Sequence, residues 1–292
     1  MKDADFYFIA GLLKERSGLF LTPEKIYLLD ARLLPIARKH GFAGLEELFN
    51  ALRTGWHEAI ASDVVDAMTT NETSFFRDQH PFEALRKHVL PGLIKRRENQ
   101  RSLRIWSAAC STGQEPYSLA MVLRDDFPQL AGWRIEILGT DLSPSVLERA
   151  RAGTYSTFEV QRGLPIKLLL RHFEETPNGW RIKDELRRDI RFAPVNLLHA
   201  LNALGTFDIV FCRNVLIYFD RTTKAAAFER IADRLAPDGA LFLGGSESIF
   251  GVSDRFSEFP GLRGVYAYAA PAEERALAAL PNNPNRLAPK VA

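Results

Sequence analysis

The chain has 292 residues, of which 46% are hydrophobic and 25% charged, a composition typical of a globular protein with one large or two modest domains. Its net charge of +2 is too small for a general nucleic-acid binder. Cys110 and Cys212 form no metal-ligand spacing, and no apolar run approaches the roughly 18 residues of a membrane span. The first residues lack the basic and apolar regions of a signal peptide. We therefore expect a cytoplasmic protein with no metal site, no nucleic-acid partner and no membrane insertion.

Residues 1–70 are predicted to form a small N-terminal helical domain. Apolar residues recur at helical spacing in "FYFIAGLL" and again in "IYLLDARLL". In "LTPEK", Thr22 and Pro23 are typical of the first residues of a helix. No strand alternation interrupts this region.

From residue 103 onward, short apolar strands alternate with helices. The predicted strands are "LRIWSA", "RIEILGTD", "FDIVFCRN", "ALFLGG" and "GVYAYAA". One helix after the second strand has clear ends, with Ser143 as N-cap, Pro144 as first residue and Gly153 as stop signal. Such alternation predicts a doubly wound, mainly parallel sheet covered on both faces. We place this α/β domain at residues 85–270, after a linker at 71–84.

Two segments depart from the alternation. Residues 172–195 contain "PNG", a hairpin turn signal, between two segments of strand character, so we predict a small antiparallel subdomain inserted there. Residues 271–292 are rich in Pro, Ala and Asn and are predicted to be disordered.

Two strand ends carry residues suited to a nucleoside. The first strand leads through "ACSTG" into a helix whose first turn holds Glu115, where a phosphate-binding loop would carry lysine. The second strand ends at Asp141, from which a carboxylate can accept both hydroxyls of a ribose. S-adenosylmethionine has a ribose, no phosphate and a cationic amino group, so the pair favours this cofactor. The alternatives are that Glu115 only complements a helix N-terminus and that Asp141 only caps a turn.

The stretch "NETSFFRD", residues 71–78, has two interpretations. It is either a linker anchored by buried Phe75 and Phe76, which its composition favours, or a flap that closes the cofactor pocket.

The stretch "FCRNVLIYFD" is also open to two interpretations. Asn214 at the strand tip and Tyr218 after it suit the acceptor side of a methyltransferase pocket, but Tyr218 is equally suited to ordinary packing. The Asn-Pro-Pro-Tyr pattern of amino-methylating enzymes is absent, which argues against a nitrogen acceptor.

Six segments resemble the bacterial chemoreceptor glutamate O-methyltransferases of the CheR type. In chain order they are "NETSFFRD", "IWSAACSTGQEPYSLAM", "GTDLSPSVLERARAGTY", "FAPVNLL", "FDIVFCRNVLIYFD" and "APDGALFLGGSES". The resemblance covers about residues 5–270 and implies the class I methyltransferase fold, Rossmann-like, with an N-terminal all-helical domain and an inserted β-subdomain. It also implies S-adenosylmethionine as cofactor, S-adenosylhomocysteine as product and a chemoreceptor as partner.

The resemblance assigns roles to residues of this sequence. It makes residues 71–77 part of the site, with Arg77 and Tyr218 implied in the methyl-transfer step. The implied cofactor contacts are Asn71, Thr73, Arg77, Glu115, Asp141, Asn196, Leu197, Arg213 and Asn214. Among these, Asp141 is expected to hold the ribose, and Asn196 and Leu197 to lie near the adenine.

A glutamate side chain has an ordinary pKa of about 4.3, so an acceptor glutamate is ionised near neutral pH and the transfer needs no general base.

The basic segment 25–39, with Lys25 and Arg32 near one face of a helix, is a candidate receptor contact, although most such runs are solvated surface. The β-subdomain is a candidate site for a receptor tail peptide, and recruitment to receptor arrays follows from such contacts. The alternatives are a methyltransferase with another acceptor and a cofactor-binding signalling module.

Overall fold

The computed structural model describes residues 2–55 and 58–269. The predicted disordered tail, 271–292, lies outside the described residues. None of the helices within these ranges has the length and apolar character that crossing a membrane requires. The same ranges contain no group of three or more His, Cys, Asp or Glu side chains that could hold a metal ion.

The N-terminal part is helical, as predicted. Its helices are α1 (Asp3–Ser17), α2 (Tyr27–Lys39), α3 (Leu45–Thr54) and α4 (Glu58–Met68), with a 3₁₀ turn at Pro23–Lys25. Helix α1 has acidic residues in its first turn and basic residues in its last, which complement the helix dipole. The four helices bury one apolar core, which includes Phe6, Ile9, Leu13, Leu29, Leu33, Leu48, Phe49 and Val64.

A seven-stranded sheet forms the centre of the α/β part, in the order β6-β2-β1-β7-β8-β10-β9. The strands are β1 (Ser102–Ala108), β2 (Arg134–Asp141), β6 (Ile190–Pro194), β7 (Phe207–Cys212), β8 (Leu235–Leu243), β9 (Phe256–Glu258) and β10 (Val265–Tyr268). The first five in the order pair in parallel, and β10 pairs antiparallel with β8 and β9. The strand order reverses between β1 and β7, and doubly wound sheets bind ligands at the carboxyl edge of such a point.

Helices cover both faces of this sheet, as the continuous apolar strands require. They are α5 (Gln79–Ala84), a π-helical turn at Leu85–Val89, α6 (Leu90–Arg96), α7 (Gln114–Asp126), α8 (Pro144–Ala152) and α12 (Arg221–Ala232). Consecutive residues of a strand lie on opposite faces of the sheet. Ile105 packs in the core that contains α7, and Trp106 packs in the core that contains α12. Helix α8 begins and ends as predicted, with the Ser143 hydroxyl accepting from the Val146 N–H.

A three-stranded antiparallel sheet forms the β-subdomain, in the order β3-β5-β4. Its strands are β3 (Thr154–Tyr155), β4 (Phe173–Thr176) and β5 (Gly179–Ile182), and the helices α9 (Thr157–Gln161), α10 (Ile166–His172) and α11 (Asp184–Arg187) accompany it. The predicted hairpin is present, with Thr176 paired to Gly179.

The predicted extent of this subdomain, 172–195, is wrong at both ends. The small sheet already begins at β3, and β6 belongs to the main sheet, where it pairs in parallel with β2. Strand β6 is an edge strand with only one buried residue, so it lacks the apolar run by which parallel strands are recognised. The division of the chain at residues 70 and 84 stays a prediction.

Candidate functional site

A cleft lies at the carboxyl edge of β1, β2 and β7, where the strand order reverses. The structure brings all ten predicted site residues to its wall. They are Asn71, Thr73, Arg77, Glu115, Asp141, Asn196, Leu197, Arg213, Asn214 and Tyr218. Ser17 at the end of α1 and Leu19 just after it also contribute, which the sequence did not indicate.

The loop after β1 turns sharply because three of its residues adopt left-handed backbone angles. Ala109 has φ 56°, Ser111 φ 50° and Gly113 φ 93°. At Gly113 a side chain would also be crowded, since its Cβ would lie 3.0 Å from the Cβ of Ala150 and 3.2 Å from the hydroxyl of Tyr155. The small residues of this loop therefore allow a tight turn into α7, whose first turn carries Glu115.

Asp141 ends β2 with its side chain in the cleft wall, 8% exposed. Its Oδ2 accepts the Ser111 N–H at 2.8 Å and its Oδ1 the Ser143 N–H at 3.0 Å. Burial raises the pKa of this carboxyl above 3.8, while the backbone N–H groups act to lower it. The turn-capping alternative therefore describes a contact that exists. Because each carboxylate oxygen can accept a second hydrogen bond, the same side chain retains acceptor capacity for a ribose.

Glu115 and Arg213 form a buried ion pair at the inner wall of the cleft. Arg213 Nη1 donates to Glu115 Oε2 at 2.8 Å, and the Ser107 hydroxyl donates to Glu115 Oε1 at 2.7 Å. The other Nη of Arg213 donates to the carbonyl of Arg77 at 2.8 Å and to Asp78 Oδ2 at 2.9 Å. Arg213, in the loop after β7, is thus linked both to the first turn of α7 and to the flap segment around Arg77 and Asp78. The sequence indicated Arg213 as a pocket residue but gave no sign of these partners.

Residues 71–77 combine both interpretations made from the sequence. Phe75 is fully buried, with ring centroids 5.0 Å from Tyr155 and 5.6 Å from Phe173, so the segment is anchored as a linker would be. The same segment covers the cleft, where the Ser111 hydroxyl donates to the carbonyl of Asn71 at 2.7 Å. The aromatic anchors hold the flap so that its polar residues face the cleft.

Arg77 and Asn196 use part of their hydrogen-bonding capacity within the chain. Arg77 Nη1 donates to the carbonyl of Glu72 at 2.8 Å, one of five N–H donors of a guanidinium. Asn196 Nδ2 donates to the carbonyl of Arg16 at 2.7 Å, and its Oδ1 accepts the Leu198 N–H at 2.9 Å. The Asn196 amide therefore ties the cleft wall to α1.

The two cysteines are buried, and Cys110 lies in the cleft wall. Burial raises the pKa of both thiols well above 9.0. A thiol that stays protonated is a poor nucleophile, so neither cysteine is suited to a covalent step.

The cleft fits S-adenosylmethionine better than a phosphorylated nucleotide. Asp141 and Glu115 offer carboxylate oxygens for ribose hydroxyls and an ammonium group, and would repel phosphate. Arg77 offers N–H donors for the carboxylate of the cofactor. The Nε of Arg213 is buried and has no hydrogen-bond partner among the described residues, which leaves one further donor within this network.

Comparisons with known proteins agree with this chemistry. A family model described as "CheR methyltransferase, all-alpha domain" matches residues 4–69. A second, described as "CheR methyltransferase, SAM binding domain", matches residues 71–265.

Three curated relatives match nearly their whole length. Chemotaxis protein methyltransferase 1 of Pseudomonas aeruginosa is 44% identical over 261 residues, which are 87% of this chain and 93% of that one. Chemotaxis protein methyltransferase Cher2 of Pseudomonas putida is 41% identical over 257 residues, 86% of this chain and 93% of that one. Chemotaxis protein methyltransferase of Vibrio parahaemolyticus is 39% identical over 259 residues, 88% of this chain and 93% of that one. The resemblance indicated by the six sequence segments is thereby confirmed, and this chain belongs to the CheR methyltransferase family, with S-adenosylmethionine as its cofactor.

Proposed function

We propose that this chain transfers the methyl group of S-adenosylmethionine to glutamate carboxylates of chemoreceptors and forms glutamate methyl esters. One observation carries the proposal: six separate chain segments converge on a cleft with two acidic side chains, Asp141 and Glu115, suited to a phosphate-free cationic nucleoside. Family membership supports the chemotactic setting, since the relatives are named chemotaxis protein methyltransferases.

The cofactor supplies an electrophilic methyl group on a sulfonium. Held by residues such as Asp141 and Glu115, it would pass this methyl group to an acceptor carboxylate oxygen as the sulfur–carbon bond breaks and sulfur keeps the electron pair, and S-adenosylhomocysteine would remain. An ionised carboxylate needs no deprotonation, so catalysis depends mainly on alignment, which in favourable cases contributes roughly 7–11 kcal/mol. The chain's own task is therefore to bind and orient both partners.

We assign Tyr218 to the acceptor side, together with Arg77, which keeps its proposed cofactor contact as well. Both line the cleft, Arg77 from the flap and Tyr218 from the 3₁₀ turn that follows β7. The guanidinium is suited to steer a carboxylate, and the phenol hydroxyl to donate a hydrogen bond to it. The other predicted cofactor contacts keep their proposed roles: Asn71 and Thr73 share the flap with Arg77, and Asn214 shares the loop after β7 with Tyr218.

The receptor is proposed to approach the basic surface of α2. Lys25, just before this helix, and Arg38 within it are exposed. Arg32 is less available for a receptor contact, because its Nη1 donates to the carbonyls of Met68 at 2.8 Å and Thr69 at 3.2 Å. The basic face is therefore smaller than the sequence indicated, and Arg32 instead ties α2 to the start of the flap.

A receptor tail peptide is proposed to bind the β-subdomain by adding a strand. Strand β4 is at the edge of the small sheet, which gives an extended peptide a row of backbone groups to pair with. Such a contact would recruit the chain from the cytoplasm to receptor arrays. Affinity measured for one receptor with and without its C-terminal tail tests this part separately.

The deciding experiment is methylation of a chemoreceptor cytoplasmic fragment with methyl-tritiated S-adenosylmethionine. The proposal predicts radioactivity that mild base releases as methanol and that receptor variants with Gln at the acceptor glutamates do not acquire. Base-stable label, or label on another acceptor, would instead identify a methyltransferase of different specificity. Cofactor binding without any transfer would favour the signalling module.

A further inference from the structure

Glu247 lies in the loop after β8 and is only 7% exposed. Its carboxylate accepts four backbone N–H groups. Oε2 accepts from Gly244 at 2.7 Å and from Asn214 at 2.8 Å, while Oε1 accepts from Leu216 at 2.8 Å and from Val215 at 3.1 Å. Three of the four donors belong to the loop after β7, which lines the cleft, so one buried side chain holds three consecutive residues of that loop.

The loop needs such a partner because of its backbone conformation. Asn214 has φ 58°, a left-handed angle that a non-glycine residue keeps only when its surroundings enforce it. The chain then enters the 3₁₀ turn Leu216–Tyr218, and the first N–H groups of a helical turn have no partner within the turn. Buried N–H groups without partners are unfavourable, and Glu247 supplies the acceptors.

The close contact between the two loops leaves no room for a side chain at Gly244. A Cβ there would lie 2.8 Å from Glu247 Oε2 and 2.9 Å from Asn214 Nδ2. Strands β7 and β8 are parallel neighbours, with Cys212 paired to Leu243, so the loops leave the sheet side by side. Glu247 therefore fastens the β7 loop to the adjacent strand end.

We infer that Glu247 is a positioning residue for methyl transfer, acting through Asn214 and Tyr218. Those two residues line the cleft, whereas Glu247 is not among the described residues that do so. The inference rests on the proposed function, because it assigns the acceptor side of the cleft to this loop. It adds that the orientation of the loop is set by a carboxylate that contacts neither cofactor nor acceptor.

Glu247→Gln tests the inference with little change in volume. The amide group would direct its NH₂ at two backbone N–H groups, whichever way it is oriented, so two of the four bonds are lost. We expect kcat for receptor methylation to fall by about tenfold or more, since small misplacements near reacting groups reduce rates strongly. The Kd for S-adenosylhomocysteine should change less than kcat, by no more than about threefold, because Asp141 and Glu115 are unaffected and Asn214 is the one proposed cofactor contact among the loop residues that Glu247 holds. Amide exchange of a peptide covering 213–219 should accelerate, and that of a peptide covering 104–108 should not.

The matched control is Glu258→Gln. Glu258 also accepts a backbone N–H, that of Gly264 at 2.8 Å, but it lies on β9 at the far edge of the sheet. The Glu258→Gln variant should leave kcat and the amide exchange of the peptide covering 213–219 unchanged. If Glu247→Gln does not fold, Gly244→Ala tests the same contact with the carboxylate retained, and should give the same loss of kcat and the same faster exchange.

Unchanged exchange at 213–219, or a kcat within twofold of wild type, would overturn the inference. So would a parallel loss of kcat, cofactor affinity and melting temperature, which indicates general destabilisation. Failure of the proposed function is a different result, because wild type itself would then not methylate the receptor fragment. The exchange measurement still decides in that case whether Glu247 orders the loop.

Discussion

Arg213 Nη1 and Glu115 Oε2 lie 2.8 Å apart and join the loop after β7 to the first turn of α7, the helix that follows the neighbouring strand β1. The Arg213 side chain is 2% exposed and that of Glu115 12% exposed, so water screens this pair little. Glu115, which the sequence indicated as a partner for a cationic ligand, thus has a cation within the protein as well. Glu115 and Arg213 both line the cleft as well.

Glu115→Gln should lower the free energy of unfolding by about 2–3 kcal/mol, because Arg213 would keep a buried charge with one partner fewer. It should also weaken S-adenosylhomocysteine binding. Urea unfolding and calorimetry measure the two effects. The matched control is Glu185→Gln, which breaks an exposed pair with Arg124 of 2.7 Å and should change stability by less than about 1 kcal/mol. Equal losses in the two variants would contradict the stabilising role of the buried pair.

Gly113→Ala tests the turn after β1. The φ of 93° and the contact at 3.0 Å with Ala150 both oppose a side chain, so unfolding free energy should fall by about 1–3 kcal/mol and cofactor affinity should fall with it. Gly245→Ala is the control, since a Cβ at Gly245 would meet no atom within 4 Å. Thermal melts and calorimetry of both variants measure the outcome. A neutral Gly113→Ala would mean that the turn is not strained.

Tyr218→Phe tests the acceptor side of the site. Removal of the hydroxyl takes away one hydrogen bond to the acceptor, so kcat should fall up to about tenfold while the Kd of S-adenosylhomocysteine stays within about threefold. Tyr7→Phe, at an exposed tyrosine of α1, should change neither quantity. Full activity of Tyr218→Phe would remove the hydroxyl from the mechanism and leave Arg77 as the candidate for steering the acceptor. Full activity of Arg77→Ala would remove that role too.

Much of the fold follows from the sequence because most strands of the main sheet are buried on both faces. Their apolar runs, and clear signals such as Ser143 and Gly153 around α8, identify elements without tertiary information. Strand β6 is an edge strand with exposed residues, and its local pattern resembles that of a hairpin strand. Only its pairing with β2 identifies it as part of the main sheet.

The residues of the site also differ in whether the sequence alone could identify them. Side chains at strand ends, such as Asp141 and Asn214, could be identified because a doubly wound sheet brings those ends together. Glu247, Ser111 and Asp78 could not, because their importance lies in hydrogen bonds to backbone groups or charges distant in sequence. Glu247 did have one signal, since it lies in the segment "APDGALFLGGSES" that carried the family resemblance.

The contact between Lys14 of α1 and Asp220 depends on pH. Their charged groups lie 2.5 Å apart, and Asp220 also caps α12 by accepting the Thr223 N–H at 2.8 Å. The Lys14 ammonium, followed by that N–H, lowers the pKa of Asp220 from 3.8 to about 2. Because the folded-state pKa is the lower one, this stabilisation is complete above the unfolded-state value and is lost as pH falls through about 2.

Asp220→Asn keeps the cap and removes the charge. At pH 7 it should lower the free energy of unfolding by up to about 1 kcal/mol, a modest figure because the Lys14 side chain is half exposed. The difference from wild type should narrow as pH falls below 3.8. Urea unfolding of both proteins at pH 7, 4 and 3 measures this difference in unfolding free energy. A difference that stays constant with pH would show that the ion pair is not its cause.

The most direct test of the cofactor site is a calorimetric titration of S-adenosylmethionine and S-adenosylhomocysteine into wild type and Asp141→Ala. We predict that wild type binds both ligands and that the variant binds them about 10- to 100-fold more weakly, since a charged acceptor for ribose hydroxyls is lost. Equal affinity in a folded Asp141→Ala would contradict the assignment of this carboxylate. If folded wild type bound neither ligand, the cleft between β1, β2 and β7 would not be a cofactor site in this chain.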